Sequence, residues 1–220
     1  MGSTGFDISH FLATIVLICS FALLYQARLL GLIHVFAVQA LALALAVAWQ
    51  AHVQAAPHLY VTAFIALVMK AGLIPYMLRR IVHKLQIART IEQVVSTNIT
   101  MLAGVFLTIL AIMVVFPAAS METGLEREDL ALALAIILLG MLMMITRRNA
   151  ISQIIGFMAL ENGLILAASG ARGMPLVVEV SVAFSVLIAF FVFGIFIFRI
   201  RERFDTIDVD ELSAHRGDME

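Results

Sequence analysis

The chain is poor in the residues that a soluble protein or a metalloprotein needs. It has 220 residues, of which one is a cysteine, Cys19, and only 13% are charged. A lone cysteine excludes an internal disulfide, a CxxC zinc site and an iron–sulfur cluster held by this chain alone. No Walker loop, GxGxxG motif or hydrolase elbow is present, and a net charge of −1 does not favour nucleic-acid binding. Soluble domains are about a quarter charged, so this chain is not expected to be soluble.

Apolar residues make up 63% of the chain, and they recur in runs close to the length of a membrane-spanning helix, roughly 20 residues. We therefore expect an all-α, polytopic membrane helix bundle of about seven transmembrane helices. The predicted spans are Phe11 to Tyr25, Leu30 to Trp49, Leu59 to Leu78, Ile99 to Phe116, Leu130 to Ile145, Ile151 to Ser169, and Leu176 to Phe198.

The distribution of basic residues predicts the orientation, because cytoplasmic loops carry an excess of Lys and Arg. With seven spans and the N-terminus outside, the outward segments hold only Arg127 and Arg172. The inward segments hold Arg28, Arg79, Arg80, Lys84, Arg89, Arg147, Arg148, Arg199, Arg201, Arg203 and Arg216. This asymmetry predicts an N-out, C-in topology.

The chain divides into four predicted units. Residues 1–98 form a three-span half, 99–127 the fourth span and an outer loop, 128–201 a second three-span unit, and 202–220 an acidic cytoplasmic tail. Within the first unit, residues 80–96 show helical spacing of apolar side chains, which predicts a cytoplasmic amphipathic helix or an extension of the third span. An ordinary loop is the alternative.

Ionisable residues inside spans are the best pointers to function, because a charge at the bilayer centre costs about 2.5–3.5 kcal/mol on insertion scales. Lys70 lies near the middle of the third span, five residues before Pro75. It either snorkels towards a surface or faces protein and internal water, where it can exchange protons. Pro75 can loosen the helix and free a backbone carbonyl.

Two carboxylates follow in the last spans. Glu161 lies at mid-depth of the sixth span beside Asn162, and Glu179 lies nearer the outer end of the seventh. Glu161 is either a proton-relay group or a protonated carboxyl that only bonds within the bundle. Glu179 either joins such a relay through water or reaches the headgroup region.

The second span adds His34 and Gln39, which lie five residues apart and are therefore expected on different faces. A haem ligated by His34 is disfavoured, since axial ligands usually lie at depth on facing helices. The proton-relay candidates are thus Lys70, Glu161 and Glu179, with Asn162, Gln39, His34 and Pro75 supporting them. We expect no catalytic, cofactor-binding or metal-binding residue in this chain.

The stretch RRNAISQIIGFMALENGLILAASG, together with LYVTAFIALVMKAGLIPYMLRRI, resembles the component E family of membrane proteins in hydrogenase-4 and formate hydrogenlyase complexes. About residues 128–212 also resemble the small K subunit of bacterial respiratory complex I and the C subunit of multisubunit sodium/proton antiporters. The K-type pattern would place its carboxylate at Met158, whereas this sequence has Glu161 one turn later. A degenerate internal repeat would give Gln39, in the first copy, the position that Glu161 has in the second copy.

The resemblance implies a non-catalytic subunit of a membrane-bound hydrogenase, complex I-like, in a prokaryotic inner membrane. It would contribute to a proton-translocation path and to lateral packing between antiporter-like subunits. Nickel-iron and iron–sulfur centres would belong to partner subunits, including a membrane-anchored hydrogenase module. The alternatives are a subunit of a cation/proton antiporter without a redox partner, and a purely structural scaffold.

Overall fold

A computed structural model describes residues 2–84, 94–118 and 124–170, and positions 187, 188 and 194. No strand occurs in these residues, which confirms the all-α prediction. The helices are α1 (Gly2–Tyr25), α2 (Leu29–Val53), α3 (Pro57–Ile65), α4 (Ile74–Lys84), α5 (Thr97–Ala118), α6 (Gly124–Thr146) and α7 (Ala150–Gly170). A π-helical segment, Ala66–Leu73, joins α3 to α4, so these three pieces form one long helix.

Six stretches of the described helices are long and apolar enough to cross a membrane, and they coincide with the first six predicted spans. Most of the seventh predicted span lies outside the described residues, although Leu187, Ile188 and Gly194 within it are helical. The helices extend beyond the apolar runs: α1 begins at Gly2 rather than near Phe11. Backbone hydrogen bonding needs no apolar side chain, so hydropathy alone misses such extensions.

The segment at residues 80–96 agrees only in part with its prediction. Helix α4 continues the third span as far as Lys84, and residues 85–93 lie outside the described part. The predicted helix does not reach Ser96, because Val94 and Val95 form a bend. The Val94 N–H donates to the carbonyl oxygen of Thr146 at 3.0 Å, and the Ser96 carbonyl accepts from Thr100, in the first turn of α5.

Helices α6 and α7 approach each other closely at glycines. A Cβ on Gly140 would lie 2.5 Å from the backbone nitrogen of Leu160, and one on Gly163 would lie 2.9 Å from the carbonyl oxygen of Ala133. Small residues at such crossings allow helix backbones to pack tightly inside a membrane. The packing fixes the position of α7, the helix that carries Glu161 and Asn162.

The apolar interior falls into two clusters stacked along the helices. On α2, Phe36 belongs to one cluster and Leu43 to the other; on α7, Met158 belongs to the first and Ile165 to the second. The residues between these anchors, Gln39 on α2 and Asn162 on α7, are fully buried and polar (0% exposed). A polar layer therefore separates the two apolar clusters.

The four-unit division of the chain stays a prediction.

A buried arginine connects the α6–α7 junction to the end of α1. Arg147 is only 2% exposed, and its Nη2 donates to the carbonyl oxygen of Leu24 at 2.6 Å. A cation near a helix C-terminus is stabilised by the exposed carbonyls of the last turn. Burial lowers the pKa of Arg147 from its usual range. From its position in the sequence alone, Arg147 indicates only the membrane orientation of the chain.

Candidate functional site

The candidate site is the polar layer between the two apolar clusters. It consists of Ser20, Gln39, Lys70, Glu161 and Asn162, which we call the central polar cluster. These residues come from four membrane-spanning helices, and each is at most 2% exposed. Glu161 lies eleven residues from the start of α7, roughly 16 Å along its axis. The cluster is therefore at mid-depth of the bundle, as the sequence predicted for Lys70 and Glu161.

An ion pair is the centre of this cluster. The Nζ atom of Lys70 lies 3.1 Å from Oε2 of Glu161 and donates to Oδ1 of Asn162 at 2.9 Å. Lys70 therefore faces protein and does not snorkel. A buried ammonium is tolerated when a counter-ion and hydrogen-bond acceptors replace its water. Glu161 and Asn162, which are neighbours in α7, thus both contact the ammonium group of Lys70.

Amide and hydroxyl groups continue the contacts towards α1. The Nδ2 of Asn162 donates to Oε1 of Gln39 at 3.3 Å, and the Nε2 of Gln39 donates to Oγ of Ser20 at 2.7 Å. Ser20 in turn donates to the carbonyl oxygen of Val16 at 3.0 Å. Each amide thereby has a fixed orientation, with the Asn162 oxygen directed at Lys70.

The backbone around Lys70 is unusual, because this residue lies within the π segment Ala66–Leu73. At its end, the Ile74 N–H donates to the carbonyl of Met69, five residues back. Pro75 comes next and has no N–H, so the following carbonyl in the same register, that of Lys70, receives no such bond. Short π segments are frequent at functional sites. The predicted loosening of the helix at Pro75 thus coincides with the lysine.

Among the predicted site side chains that the structure describes, His34 does not join the cluster. His34 is exposed, and its Nδ1 lies 3.0 Å from the carbonyl oxygen of Leu30 on its own helix; it therefore lies on a different face of α2 from Gln39, as expected. Glu179 lies outside the described residues. Met158, where the K-type pattern would place its carboxylate, is buried in an apolar cluster.

Sequence reasoning missed two groups. Ser20 lies in the first span, and a serine there draws no attention because its hydroxyl can bond the carbonyl four residues back, as it does. The second group is at the end of the bundle opposite Arg147, where Nδ1 of His10 lies 3.1 Å from Oδ1 of Asp129. Within the described residues, no group of three or more His, Cys, Asp and Glu side chains could hold a metal ion.

These features define a class of protein: a polytopic membrane helix bundle with a lysine–carboxylate pair buried at mid-depth. Comparison with known proteins gives the family. The chain is 32% identical over 152 residues to the uncharacterized protein Rv0085 of Mycobacterium tuberculosis, an alignment that covers 68% of this chain and 69% of that protein. The chain belongs to the same family as this mycobacterial protein.

Two further comparisons agree with the resemblance predicted from the sequence. The family model of NADH-ubiquinone/plastoquinone oxidoreductase chain 4L matches residues 130–217. Hydrogenase-4 component E of Escherichia coli and that of Shigella flexneri are each 34% identical to this chain over 119 residues, 53% of this chain and 54% of those proteins. The chain thus aligns with about half the length of these two relatives. No solved structure matches the chain.

Proposed function

We propose that the chain is a non-catalytic membrane subunit of a complex I-like assembly of the membrane-bound hydrogenase type, in a prokaryotic inner membrane. The match to oxidoreductase chain 4L and the similarity to Hydrogenase-4 component E support this assignment. The apolar helices support a multi-pass subunit. In this proposal, nickel-iron and iron–sulfur centres belong to partner subunits, and electrons do not pass through this chain.

Within that assembly, we propose that Lys70 and Glu161 take part in proton translocation. The observation that supports this role most strongly is their 3.1 Å ion pair, buried at mid-depth. Each residue can gain or lose a proton, and in such a pair the charge state of one group changes the proton affinity of the other. A proton arriving at Glu161 removes the counter-charge of Lys70, which favours release of a proton from the ammonium. Redox-driven changes in neighbouring subunits would bias this exchange.

The other members of the central polar cluster position the pair and do not carry protons. The amides of Gln39 and Asn162 and the hydroxyl of Ser20 are not titratable in the physiological range. Their hydrogen bonds, from 2.7 to 3.3 Å, hold the Asn162 oxygen against Lys70. Protons would therefore enter and leave the Lys70–Glu161 pair through water.

Helix α5 is the surface that we propose for lateral packing against a larger antiporter-like subunit. Only 17% of its span is buried against the described part of the chain, compared with 56% for the spans of α2 and α7. Leu102, Phe106 and Met113 form an exposed apolar row along it. Lipid alone could also cover this row, so crosslinkers at Leu102 and Phe106 in the intact complex test the proposal. Capture of a larger membrane subunit supports it, and labelling of lipid only contradicts it.

We also propose the N-out, C-in orientation that the basic residues predict. Single cysteines placed at Thr123 and Arg172 of a Cys19-free variant should react with a membrane-impermeant thiol reagent from outside. A cysteine at Asn149 should react only after permeabilisation. The reverse pattern would contradict the orientation.

The experiment that tests the function uses the native complex, reconstituted in vesicles, with substrate turnover and internal pH followed together. Glu161→Gln keeps the shape and hydrogen bonds of the side chain but removes its titratable proton. We expect assembly to be retained and proton movement per electron to fall, and Lys70→Met should act likewise. His34→Gln, an exposed position on α2, is the matched control. Normal turnover with a normal pH change in both variants would contradict the relay.

A scaffold role is the second candidate, because the central polar cluster links four membrane-spanning helices. If the central polar cluster only stabilises the bundle, the same experiment in vesicles should give a different result. Loss of the subunit from the membrane in both variants, or full pumping wherever assembly survives, would favour the scaffold.

A further inference from the structure

The ammonium of Lys70 occupies a position that is lined by oxygen atoms. Oε2 of Glu161 lies 3.1 Å from Nζ and Oδ1 of Asn162 lies 2.9 Å from it. A carboxylate and an amide oxygen are ligands typical of hard cations such as the alkali and alkaline-earth ions. The ammonium group is itself a monovalent cation, held at the end of a side chain. The same two oxygens are therefore of the kind that binds a hard cation.

The orientation of the Asn162 oxygen is fixed by contacts that do not involve Lys70. Asn162 directs its oxygen towards the ammonium because its own Nδ2 donates to Gln39 at 3.3 Å, and Gln39 is held by Ser20 at 2.7 Å. We expect these contacts to remain when the lysine is shortened, because neither of them involves Lys70. Glu161 supplies a negative charge at a depth where an uncompensated charge is costly. We therefore expect removal of the ammonium to favour uptake of a proton or another cation at Glu161.

We propose that Glu161 and Asn162 form a binding site for a monovalent cation, and that Lys70 fills this site and so excludes sodium and potassium. The inference rests on the proposed function, in that it assigns the ion which the same site handles. With the tethered ammonium in place, only a proton can be exchanged at Glu161. Without it, the site accepts a free alkali ion.

Shortening the lysine makes room for such an ion. Lys70→Ala removes the three distal methylenes and the ammonium group from a side chain that is 1% exposed. The space left behind is lined at one end by the two oxygens, and a polar space of this kind holds water. Water molecules can complete the coordination of a sodium ion there.

The test measures binding of radioactive sodium ions to the purified full chain in lipid nanodiscs, with choline chloride keeping the ionic strength constant. The Lys70→Ala variant should bind sodium saturably, and its thermal unfolding midpoint should rise with sodium in the same concentration range. The wild-type chain should show neither effect. Glu161→Gln added to Lys70→Ala should abolish both, because it removes the negative charge.

Among chains that accumulate, three results would overturn the proposal: a folded Lys70→Ala chain without sodium binding, equal binding by the wild type, or undiminished binding after Glu161→Gln. Lys70→Ser is the second variant, in case the alanine chain fails to accumulate. Failure of both variants to accumulate in sodium-rich medium also counts against the site, because a bound ion should replace the lost charge. The measurement needs no turnover, so a normal pumping result for Glu161→Gln would reject the relay and leave the cation site standing.

Discussion

Two contacts of equal length between a basic and an acidic side chain lie in very different surroundings in this molecule. Lys70 and Glu161 are 3.1 Å apart, with side chains 1% and 2% exposed. His10 and Asp129 are also 3.1 Å apart, but their side chains are 37% and 15% exposed, near the end of the bundle. The contact of His10 is ionic only when its imidazole is protonated. The first pair lies inside the central polar cluster, and the second is open to solvent.

When two contact distances are equal, the surroundings decide how strongly the charges are coupled. At a given distance, the interaction between charges grows as the effective dielectric constant falls, and water and salt screen an exposed pair. A change of charge at Glu161 must therefore be compensated by a change at Lys70 or by a mobile ion. A change of charge at Asp129 can be compensated by solvent water.

Reversing one charge of the interior pair should have the largest effect. Glu161→Lys places two ammonium groups together in an apolar interior, and breaking a buried pair typically costs about 3–5 kcal/mol. We expect the variant to be lost from the membrane fraction, as measured by quantitative immunoblotting. Adding Lys70→Glu restores opposite charges and should recover much of the protein. Wild-type accumulation of Glu161→Lys alone would mean that the pair is not closely coupled.

Removing an amide from the cluster should have an intermediate effect. Asn162→Leu keeps the number and branching of the side-chain heavy atoms but takes away an acceptor of Lys70 and the donor to Gln39. A buried polar group left without its partner costs about 1–3 kcal/mol in the free energy of unfolding. Thermal unfolding in detergent should show this loss, whereas His34→Leu on the exposed face should change stability by less than about 0.5 kcal/mol. Equal stability of both variants would contradict the account.

The close packing that fixes α7 should be nearly as sensitive. Gly140→Ala would bring a methyl group within 2.5 Å of the Leu160 backbone, so α6 and α7 must separate. Overpacking of this kind costs about 1–3 kcal/mol. Gly72→Ala is the matched control, since its nearest neighbour is 3.7 Å away. The alanine at position 140 should lower the unfolding temperature and the one at 72 should not; similar shifts would argue against tight α6–α7 packing.

The exposed pair should show the smallest effect. Asp129→Asn removes one charge of a partly solvated pair, and such pairs contribute about 0–1 kcal/mol. Accumulation in the membrane should be unchanged, and any loss of stability should vanish at high salt. A loss as large as that of Glu161→Lys would show that this end of the bundle is more deeply buried than its exposure suggests.

Much of this arrangement could be predicted from the sequence. A lysine and a glutamate in apolar runs are conspicuous because each is costly in lipid, and runs of apolar residues mark six spans directly. The direct contact between Lys70 and Glu161 could not be predicted from hydropathy. The contact depends on the rotation of each helix about its axis, and the π segment around Lys70 alters that rotation locally.

The parts that sequence reasoning missed share a physical cause. Ser20 and Arg147 are not exceptional residues for their positions in the chain; their importance comes from contacts with distant helices, to Gln39 and Leu24 respectively. His10 and Asp129 are 119 positions apart, and only the packing of α1 against α6 brings them together. Spacing within one helix predicts a face, but it does not predict which face of another helix lies opposite.

Infrared difference spectroscopy of the reconstituted complex tests most directly whether Glu161 changes its protonation during turnover. A carboxyl group that gains a proton acquires a carbonyl stretching band that a carboxylate lacks. We expect such a band when the complex turns over, its loss in Glu161→Gln, and a shift of the band in Lys70→Met. A spectrum of the wild type with no band that depends on Glu161 would contradict the proposed relay.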